Sequence, residues 1–269
     1  MNEKILKQYE KAPRNFGIKI VITLICVMLI VWSGTAVEFN EVSSNGLKIA
    51  KNIFLGIFNP DKQLLFNFTT AGVAYLLLET ICIAFLGTLV GAILAIPFAF
   101  ISATNIVPKF LSVIGRFIIM AIRTVPSIVY ALMFIRVTGP GPFAGLLTMS
   151  LSSIGMISKM YIESIEDLDT KILESLDACG CNFFEKIRYG ILPQLFPDFI
   201  STVIYRFDMN LRDASVLGIV GAGGIGAPLI FAMNAYRWSE VGSIIIGLIV
   251  LVLIIEFFST KIRVKLARG

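Results

Sequence analysis

Long apolar runs fill most of this sequence, and one charged segment of about thirty residues interrupts them. Six runs are long enough to cross a hydrocarbon layer about 30 Å thick, at residues 16–37, 75–101, 111–136, 143–162, 198–220 and 241–258. With 57% hydrophobic and 15% charged residues, the chain is far less charged than soluble domains, which carry about 25%. The sequence therefore predicts an all-α, polytopic membrane bundle with six transmembrane helices.

The lysines and arginines predict which loops face the cytoplasm. Fourteen of them fall in the inner loops and tails of a six-helix topology, and four fall in its outer segments, namely Lys48, Lys51, Lys62 and Arg237. Basic residues concentrate on the cytoplasmic side of membrane proteins. Both termini and residues 163–193 are therefore expected in the cytoplasm, and the net charge of +5 does not indicate a nucleic-acid partner.

Two parts of the chain differ in character. Residues 1–70 are expected to hold a cytoplasmic leader, the first span and an outer segment, and residues 71–269 the transmembrane core. In the outer segment apolar residues recur at helical spacing, which predicts an amphipathic helix lying on membrane lipid. They are Leu47, Ala50, Ile53, Phe54 and Ile57. A substrate-binding role for this segment is the alternative.

The sequence lacks the residues that several classes of functional site require. There is no histidine, which removes the usual histidine-based metal sites and nucleophile sets. A Gly-x-Ser-x-Gly elbow and a Walker A motif are also missing. No metal or cofactor is therefore expected on this chain, and an intramembrane phosphatase or protease is disfavoured. Of the four cysteines, Cys179 and Cys181 are expected to be free cytosolic thiols.

The charged segment, residues 163–193, reads ESIEDLDTKILESLDACGCNFFEKIRYGILP and holds seven of the eighteen acidic residues. We call it the polar segment. Gly180 suits a helix end, because glycine adopts a positive φ without a steric penalty. Pro193 is expected to end one polar helix and start a redirected segment. The pattern predicts a short, rigid helix across the membrane normal.

The run ESLDACG followed by ILP resembles the cytoplasmic EAA loop of bacterial ABC-transporter permeases. The matching residues are Glu174, Ala178, Gly180, Leu192 and Pro193, whereas Ser175 and Leu176 replace consensus alanines and Gly190 replaces an aliphatic residue. The resemblance implies a type I ABC importer-like permease in the bacterial inner membrane. It also implies that the polar segment docks on a cytoplasmic ATP-binding subunit, and that ATP and Mg bind to that separate subunit.

A second resemblance concerns the substrate. RFDMNLRDASVLGIVGAGGIG, which begins at Arg206, and RTVPSIVYALMF, which begins at Arg123, resemble spans of phosphonate-type permeases. This implies import of phosphonate, or of phosphite or phosphate, delivered by an extracytoplasmic substrate-binding protein through a homodimer of this chain. An importer for another small solute is the alternative. A channel or secondary transporter would leave the EAA-like loop unexplained.

Polar residues inside spans are costly in lipid and therefore mark candidate pathway positions. On the fifth predicted helix, one stripe holds Thr202, Arg206, Asn210 and Asp213, and the nearly opposite stripe holds Ser201, Tyr205, Asp208, Arg212 and Ser215. A third stripe on the third span holds Arg123, Ser127 and Tyr130. Arginine forks suit oxyanions, so the pathway candidates are Arg123, Ser127, Arg206, Asp208, Asn210, Arg212 and Asp213.

The sequence leaves the use of these stripes open. Either stripe of the fifth helix could line the path while the other packs on neighbouring helices. The arginines could also pair internally with Asp208, Asp213 or Glu79. Spacing of i,i+4 predicts two ion pairs, Asp208–Arg212 and Lys159–Glu163.

A glycine-rich run follows the fifth predicted helix. Gly221-x-Gly223-x-x-Gly226 fits the dinucleotide fingerprint, but that motif requires a preceding strand, and here a membrane helix precedes it. A flexible bend beside the pathway is the favoured interpretation. The predicted hinge residues are Gly221, Gly223, Gly224 and Gly226.

Overall fold

A computed structural model describes residues 16–36, 44–69 and 72–267 of the chain. These residues form helices and turns without a strand, so the predicted all-α class is confirmed. The helices are α1 (Phe16–Ala36), α2 (Ser44–Phe58), α3 (Lys62–Leu65), α4 (Val73–Ser102), α5 (Lys109–Thr124), α6 (Ser127–Thr138), α7 (Pro142–Glu166), α8 (Thr170–Ala178), α9 (Phe183–Glu185), α10 (Leu192–Ile219), α11 (Gly226–Asn234) and α12 (Trp238–Ala267), with a π-helix at Lys186–Ile191 before α10.

Contacts divide the chain into two compact units, residues 1–51 and 52–269. In the first unit, α1 exposes its apolar side chains all round, as expected for a helix surrounded by lipid. The basic leader before residue 16, residues 37–43 of the outer segment and Arg268 of the tail lie outside the described residues. The predicted amphipathic helix of the outer segment is present as α2.

Four helices in the described ranges are long and apolar enough to cross a membrane alone, namely Phe16–Thr35, Val73–Ser102, Pro142–Glu166 and Trp238–Leu266. The bent pair α5 and α6 adds a fifth candidate if it forms one span. α10 is 28 residues long but carries five charged side chains. Its polarity explains why hydropathy alone does not select it as a span.

The centre of the second unit is the close pair α4 and α7, the most extensive helix contact among the described residues. Gly91 of α4 faces Ser153 of α7, and a Cβ built on Gly91 would lie 2.5 Å from the Ser153 Cβ. Gly87 meets Met149 in the same way one turn earlier. Small residues let two membrane helices approach closely, so these positions fix the scaffold on which α10 packs.

The third predicted span, residues 111–136, is not one continuous helix. α5 and α6 meet at an angle of 82°. Val125 is extended there, with φ −87° and ψ 122°. Pro126 follows it, and proline disfavours the helical conformation in the residue before it. The prediction of Arg123, Ser127 and Tyr130 on a single helix is therefore wrong, although the Tyr130 hydroxyl bridges the bend by donating to the Ile122 carbonyl at 3.0 Å.

The prediction that Pro193 ends a helix is also wrong. Helical structure runs from α9 through the π-helix Lys186–Ile191 directly into α10, and Pro193 lies in the first turn of α10. Proline cannot donate a backbone hydrogen bond to the preceding turn, and it would crowd the carbonyl there. The wider π-helical turn immediately before it accommodates the ring without breaking the helix.

The structure adds one helix to the predicted set and extends another. α11, a nine-residue helix, lies between the fifth and sixth predicted spans, where the sequence analysis predicted no helix. Gly226 and Pro228 mark its first turn, where both residues are tolerated. α12 extends well beyond the predicted end at residue 258, because Lys261, Arg263 and Lys265 continue the helix past its apolar part.

Candidate functional site

The polar segment contains α8, which is held at its start by a side-chain cap. The Asp169 carboxylate accepts a hydrogen bond from the Lys171 backbone N–H at 3.0 Å. Aspartate at this position satisfies one of the free N–H groups of a helix start and is typically worth about 1 kcal/mol. α8 therefore has a defined beginning even though it is short and polar.

The end of α8 is fixed by the turn at Gly180. Gly180 has φ +74°, and its N–H donates to the Asp177 carbonyl at 2.9 Å. The Cys181 N–H donates to the Leu176 carbonyl at 3.1 Å. This pair of bonds around a left-handed glycine is the Schellman motif. The positive φ predicted for Gly180 at a helix end is confirmed.

α9 begins immediately after this turn with a reciprocal cap that the sequence analysis missed. Asn182 N–H donates to the Glu185 carboxylate at 2.7 Å, and Glu185 N–H donates to the Asn182 side-chain oxygen at 3.0 Å. An Asn-x-x-Glu spacing is a sequence signal for such a capping box. Lys186 then forms an ion pair with Asp177, which ties α8 to the following helix.

One face of α8 packs inward and the other is exposed. Leu176 lies against Gly190, where any larger residue would meet its methyl group, which explains the glycine at that position. Ile172, Ile187 and Leu192 pack on a core that includes Ile165, Ile191 and Phe199. The exposed residues are Glu174, Ser175, Asp177, Ala178, Cys179 and Gly180, and with Phe184, which is 78% exposed, they form what we call the outer face.

The start of the polar segment is clamped to the loop between α4 and α5. Glu166 accepts hydrogen bonds from the Thr104 N–H at 2.6 Å, from the Thr104 hydroxyl and from Arg116 Nη2 at 2.5 Å. Asn105 Nδ2 donates to the Ile165 carbonyl at 2.7 Å. These contacts join α7, α5 and the polar segment across fifty or more residues of sequence, so no local pattern could have indicated them.

The stripe of α10 that holds Arg206 and Asn210 is buried within the second unit. Arg206 is 5% exposed and donates from Nη2 to the Ser152 hydroxyl at 2.9 Å. Asn210 Nδ2 donates to Ser153 Oγ at 2.7 Å and to Thr88 Oγ1 at 2.8 Å. No carboxylate oxygen of the described residues lies within 4.0 Å of the Arg206 guanidinium. These bonds join α10 to α7 and α4.

The opposite stripe is more accessible and reaches α12. Arg212 Nη2 contacts Asp208 Oδ2 at 2.9 Å, which confirms that predicted pair, and Glu256 Oε2 at 3.2 Å, which was not predicted. Arg212 is exposed and Asp208 is buried, whereas Asp213 of the Arg206 stripe is half-buried. The Lys159–Glu163 pair is confirmed at 3.3 Å.

Arg123 and Ser127 lie on either side of the bend between α5 and α6. Arg123 is exposed, and its stem packs over Gly155. It lines a cavity of about 210 Å³ between α5 and α7 together with Arg116, Lys159 and Glu163. Ser127 is the half-buried first residue of α6. The arginine therefore stands near other charges of the C-terminal half of α7 rather than beside Ser127 on one helix.

The glycine-rich turn between α10 and α11 is packed against α4. Gly221, Gly223 and Gly224 have φ values of +94°, +83° and +73°. The Gly224 N–H donates to the Glu79 carboxylate at 3.0 Å, and the Ile225 N–H donates to the Thr80 hydroxyl at 3.0 Å. Glu79 was expected only as a possible partner of an arginine, and its contact with this turn was not predicted. Gly226 lies against the backbone of α10 at Gly218.

Comparison with known proteins identifies the family to which this chain is similar. Residues 95–262 match the family described as binding-protein-dependent transport system inner membrane component. HtxC of Stutzerimonas stutzeri, a permease protein whose name links it to phosphite transport, is 30% identical over 264 residues, which cover 98% of this chain and 91% of that protein. The phosphate-import permease protein PhnE of Mycolicibacterium smegmatis is 34% identical over 72% of this chain but only 36% of its own length.

Solved structures share the fold. The MetNI methionine ABC transporter in an inward-facing conformation has a chain that superposes with a TM-score of 0.62 at 19% identity, covering 71% of this chain and 94% of that one. At such low identity the likeness concerns the fold alone, and it confirms the predicted type I importer-like bundle. This chain therefore belongs to the family of binding-protein-dependent transport system inner membrane components, the multi-pass membrane permeases of ABC importers.

Proposed function

We propose that this permease imports a phosphorus oxyanion, namely phosphonate, phosphite or phosphate. The support is the relatives with names linked to phosphite in Stutzerimonas stutzeri and to phosphate import in Mycolicibacterium smegmatis. The exposed arginines Arg123 and Arg212 suit such an anion, because guanidinium groups bind oxyanions well. Another small solute is the alternative.

In this proposal, cytoplasmic ATP-binding subunits dock on the outer face of α8. The observation that supports this docking is the fixed geometry of that helix. α8 is capped at both ends and ion-paired to Lys186, and α9, which follows the Gly180 turn, is continuous through the π-helix with α10. Closure of two ATP-binding subunits, which hold the ATP and Mg, would move α8 and hence α10 as a lever. Two copies of this chain form the path, and an extracytoplasmic substrate-binding protein delivers the solute.

In the proposed path, the exposed candidate residues contact the solute. Arg123 and Arg212 are exposed, whereas Arg206 and Asn210 hold α10 against its neighbours. In the proposal Asp208, which pairs with Arg212, and Asp213 set the local charge, and Ser127 is a neutral hydroxyl candidate across the bend from Arg123. The glycines of the turn after α10 are the proposed hinge.

Uptake by the reconstituted complex tests the substrate. We expect proteoliposomes that contain this chain, its co-purifying ATP-binding subunit and its binding protein to accumulate labelled phosphite, methylphosphonate or phosphate only when ATP is supplied on the ATPase side. Methionine, the solute named for a structural neighbour, serves as the control solute. Accumulation of methionine but of none of the three oxyanions would contradict the proposal.

A native cysteine tests the orientation of the polar segment. Cys179 is exposed beside Gly180, whereas Cys26 and Cys82 lie on the apolar helices α1 and α4. We expect a membrane-impermeant maleimide to label the chain in inside-out vesicles and not in sealed right-side-out vesicles. Cys179→Ser, alone and with Cys181→Ser, is the control that assigns the labelled site. Labelling of Cys179 from the outer side would reverse the proposed topology.

A further inference from the structure

A cleft opens between α7, α10 and α12 near the inner half of α7, about one turn before its end at Glu166. Its volume is about 430 Å³, within the range of sites that hold small ligands. The cleft is lined by Met156, Lys159, Met160, Glu163, Ser201, Thr202, Tyr205 and Arg263. None of these residues belongs to the outer face of α8, and none takes part in the Arg206 hydrogen bonds to α7.

Three hydroxyl groups face this cleft from two neighbouring turns of α10. Ser201, Thr202 and Tyr205 line it, and in the part of the chain that the structure describes none of their hydroxyls bonds to another protein group. Other span hydroxyls behave differently, since Thr88 and Thr148 donate to the carbonyl one turn earlier. The hydroxyls of the cleft are therefore free to donate to a bound ligand.

The cleft also carries an arginine that is poorly matched to its protein partners. The Arg263 guanidinium lies 5.5 Å from the Tyr205 ring centroid, and Nη2 makes a long 3.3 Å bond to the Thr260 hydroxyl. Its Nε is buried without a partner among the described residues. No described carboxylate comes within 4.0 Å of it. Beyond the Thr260 bond, the Nη groups of Arg263 also make no hydrogen bond to the described residues, so an anion in the cleft would supply an acceptor for them.

The remaining charges leave the cleft positive. Lys159 pairs with Glu163 at 3.3 Å, and both side chains stay about half exposed. Lys159 and Arg263 together outweigh the single carboxylate Glu163 by one charge. Glu163 is engaged by Lys159, which reduces its repulsion of an incoming anion.

We propose that this cleft binds the transported phosphorus oxyanion on its way to the cytoplasm, with Arg263 and the Ser201 and Tyr205 hydroxyls as its ligands. This inference rests on the proposed function and adds a site that the pathway candidates do not include. Guanidinium and hydroxyl donors suit a tetrahedral oxyanion. Binding here is weak, because a site in a conduction path must also release its ligand. A phospholipid headgroup presents the same phosphate chemistry, so the experiment has to separate the two sources.

The test compares cleft variants in the reconstituted complex. Tyr205→Phe and Ser201→Ala remove one hydroxyl donor each, and Arg263→Gln removes the charged guanidinium. Arg237→Gln, at an exposed arginine paired with Glu240 away from the cleft, is the matched control. Initial uptake of the oxyanion and ATP hydrolysis are measured at several concentrations of loaded binding protein. We expect Arg263→Gln to lower uptake at least about tenfold, with a smaller loss in the hydroxyl variants, and Arg237→Gln to match the wild type.

ATP hydrolysis separates a ligand role from a structural one. We expect Arg263→Gln to keep binding-protein-stimulated hydrolysis within about twofold of the wild type, because the docking surface is intact; a parallel loss of hydrolysis and uptake would overturn the assignment. So would normal uptake by all three variants. A defect that disappears when the phospholipid is replaced by a phosphate-free glycolipid would identify a lipid headgroup instead and would overturn the assignment. If the wild type imports none of the oxyanions, the proposed function itself fails, which is a different result from wild-type import with unaffected variants.

Discussion

Gly180→Asp is expected to abolish ATP-driven uptake while the chain stays folded and membrane-inserted. Nothing lies within 4 Å of a Cβ built on Gly180, so the new side chain meets no obstacle within the chain. Aspartate tolerates the left-handed region at a cost of about 1 kcal/mol. The large effect comes from the proposed interface, where an unpaired buried charge costs about 3 kcal/mol or more. Docking would then weaken by more than about a hundredfold.

Gly139 offers a matched control for this substitution. It also has a positive φ, +83°, and nothing within 4 Å of a built Cβ, but it lies in the turn between α6 and α7. Gly139→Asp introduces the same charge and similar strain away from the polar segment. We expect it to leave co-purification of the ATP-binding subunit unchanged, whereas Gly180→Asp removes that subunit from the purified complex. Retention of the subunit and of uptake in Gly180→Asp would refute docking at the outer face.

Gly180→Asn separates charge from strain. Asparagine has nearly the shape of aspartate, carries no charge and occupies the left-handed region readily. We expect it to retain a measurable part of the uptake that Gly180→Asp loses. The difference between the two variants is then the contribution of charge at the interface.

Local signals account for what the sequence could predict. Gly180 sits at a helix end because glycine alone enters the left-handed region freely, and the Asp208–Arg212 pair follows from helical spacing. The bend before Pro126 was equally local, and the preference of a residue before proline for extended backbone would have indicated it. The Asn-x-x-Glu spacing at Asn182 would likewise have indicated the capping box.

Contacts between distant residues account for most of what it could not predict. Glu79 caps the turn at Gly224 from α4, and Arg116 reaches Glu166 from α5. α10 carries polar side chains on two faces, so its hydrophobic periodicity could not indicate which one packs inward. The inward face of α10 is determined by α7, where Ser152 and Ser153 supply acceptors for Arg206 and Asn210.

Gly226→Ala is expected to destabilise the bundle, although it adds a single methyl group. A Cβ built on Gly226 would meet the Ser215 carbonyl oxygen and lie 2.8 Å from both Gly218 Cα and Ile219 N, all of them backbone atoms of α10. Backbone atoms of a helix cannot rotate aside, so α11 has to move away. Overpacking of this kind costs about 3 kcal/mol, and alanine returns about 1 kcal/mol as the better helix former.

The measurement is the thermal unfolding midpoint of the purified chain in detergent, with Gly34→Ala as the matched control. Gly34 lies on α1 with nothing within 4 Å of a built Cβ, so only its improved helix propensity acts and the midpoint should stay or rise slightly. We expect Gly226→Ala to lower the midpoint by several degrees. A hinge that works through flexibility makes the opposite prediction, since alanine would stiffen it, leave the midpoint unchanged or higher, and reduce uptake alone. An unchanged midpoint with lost uptake would therefore favour the hinge, and a lowered midpoint would show that this glycine is required for close packing of α10 on α11.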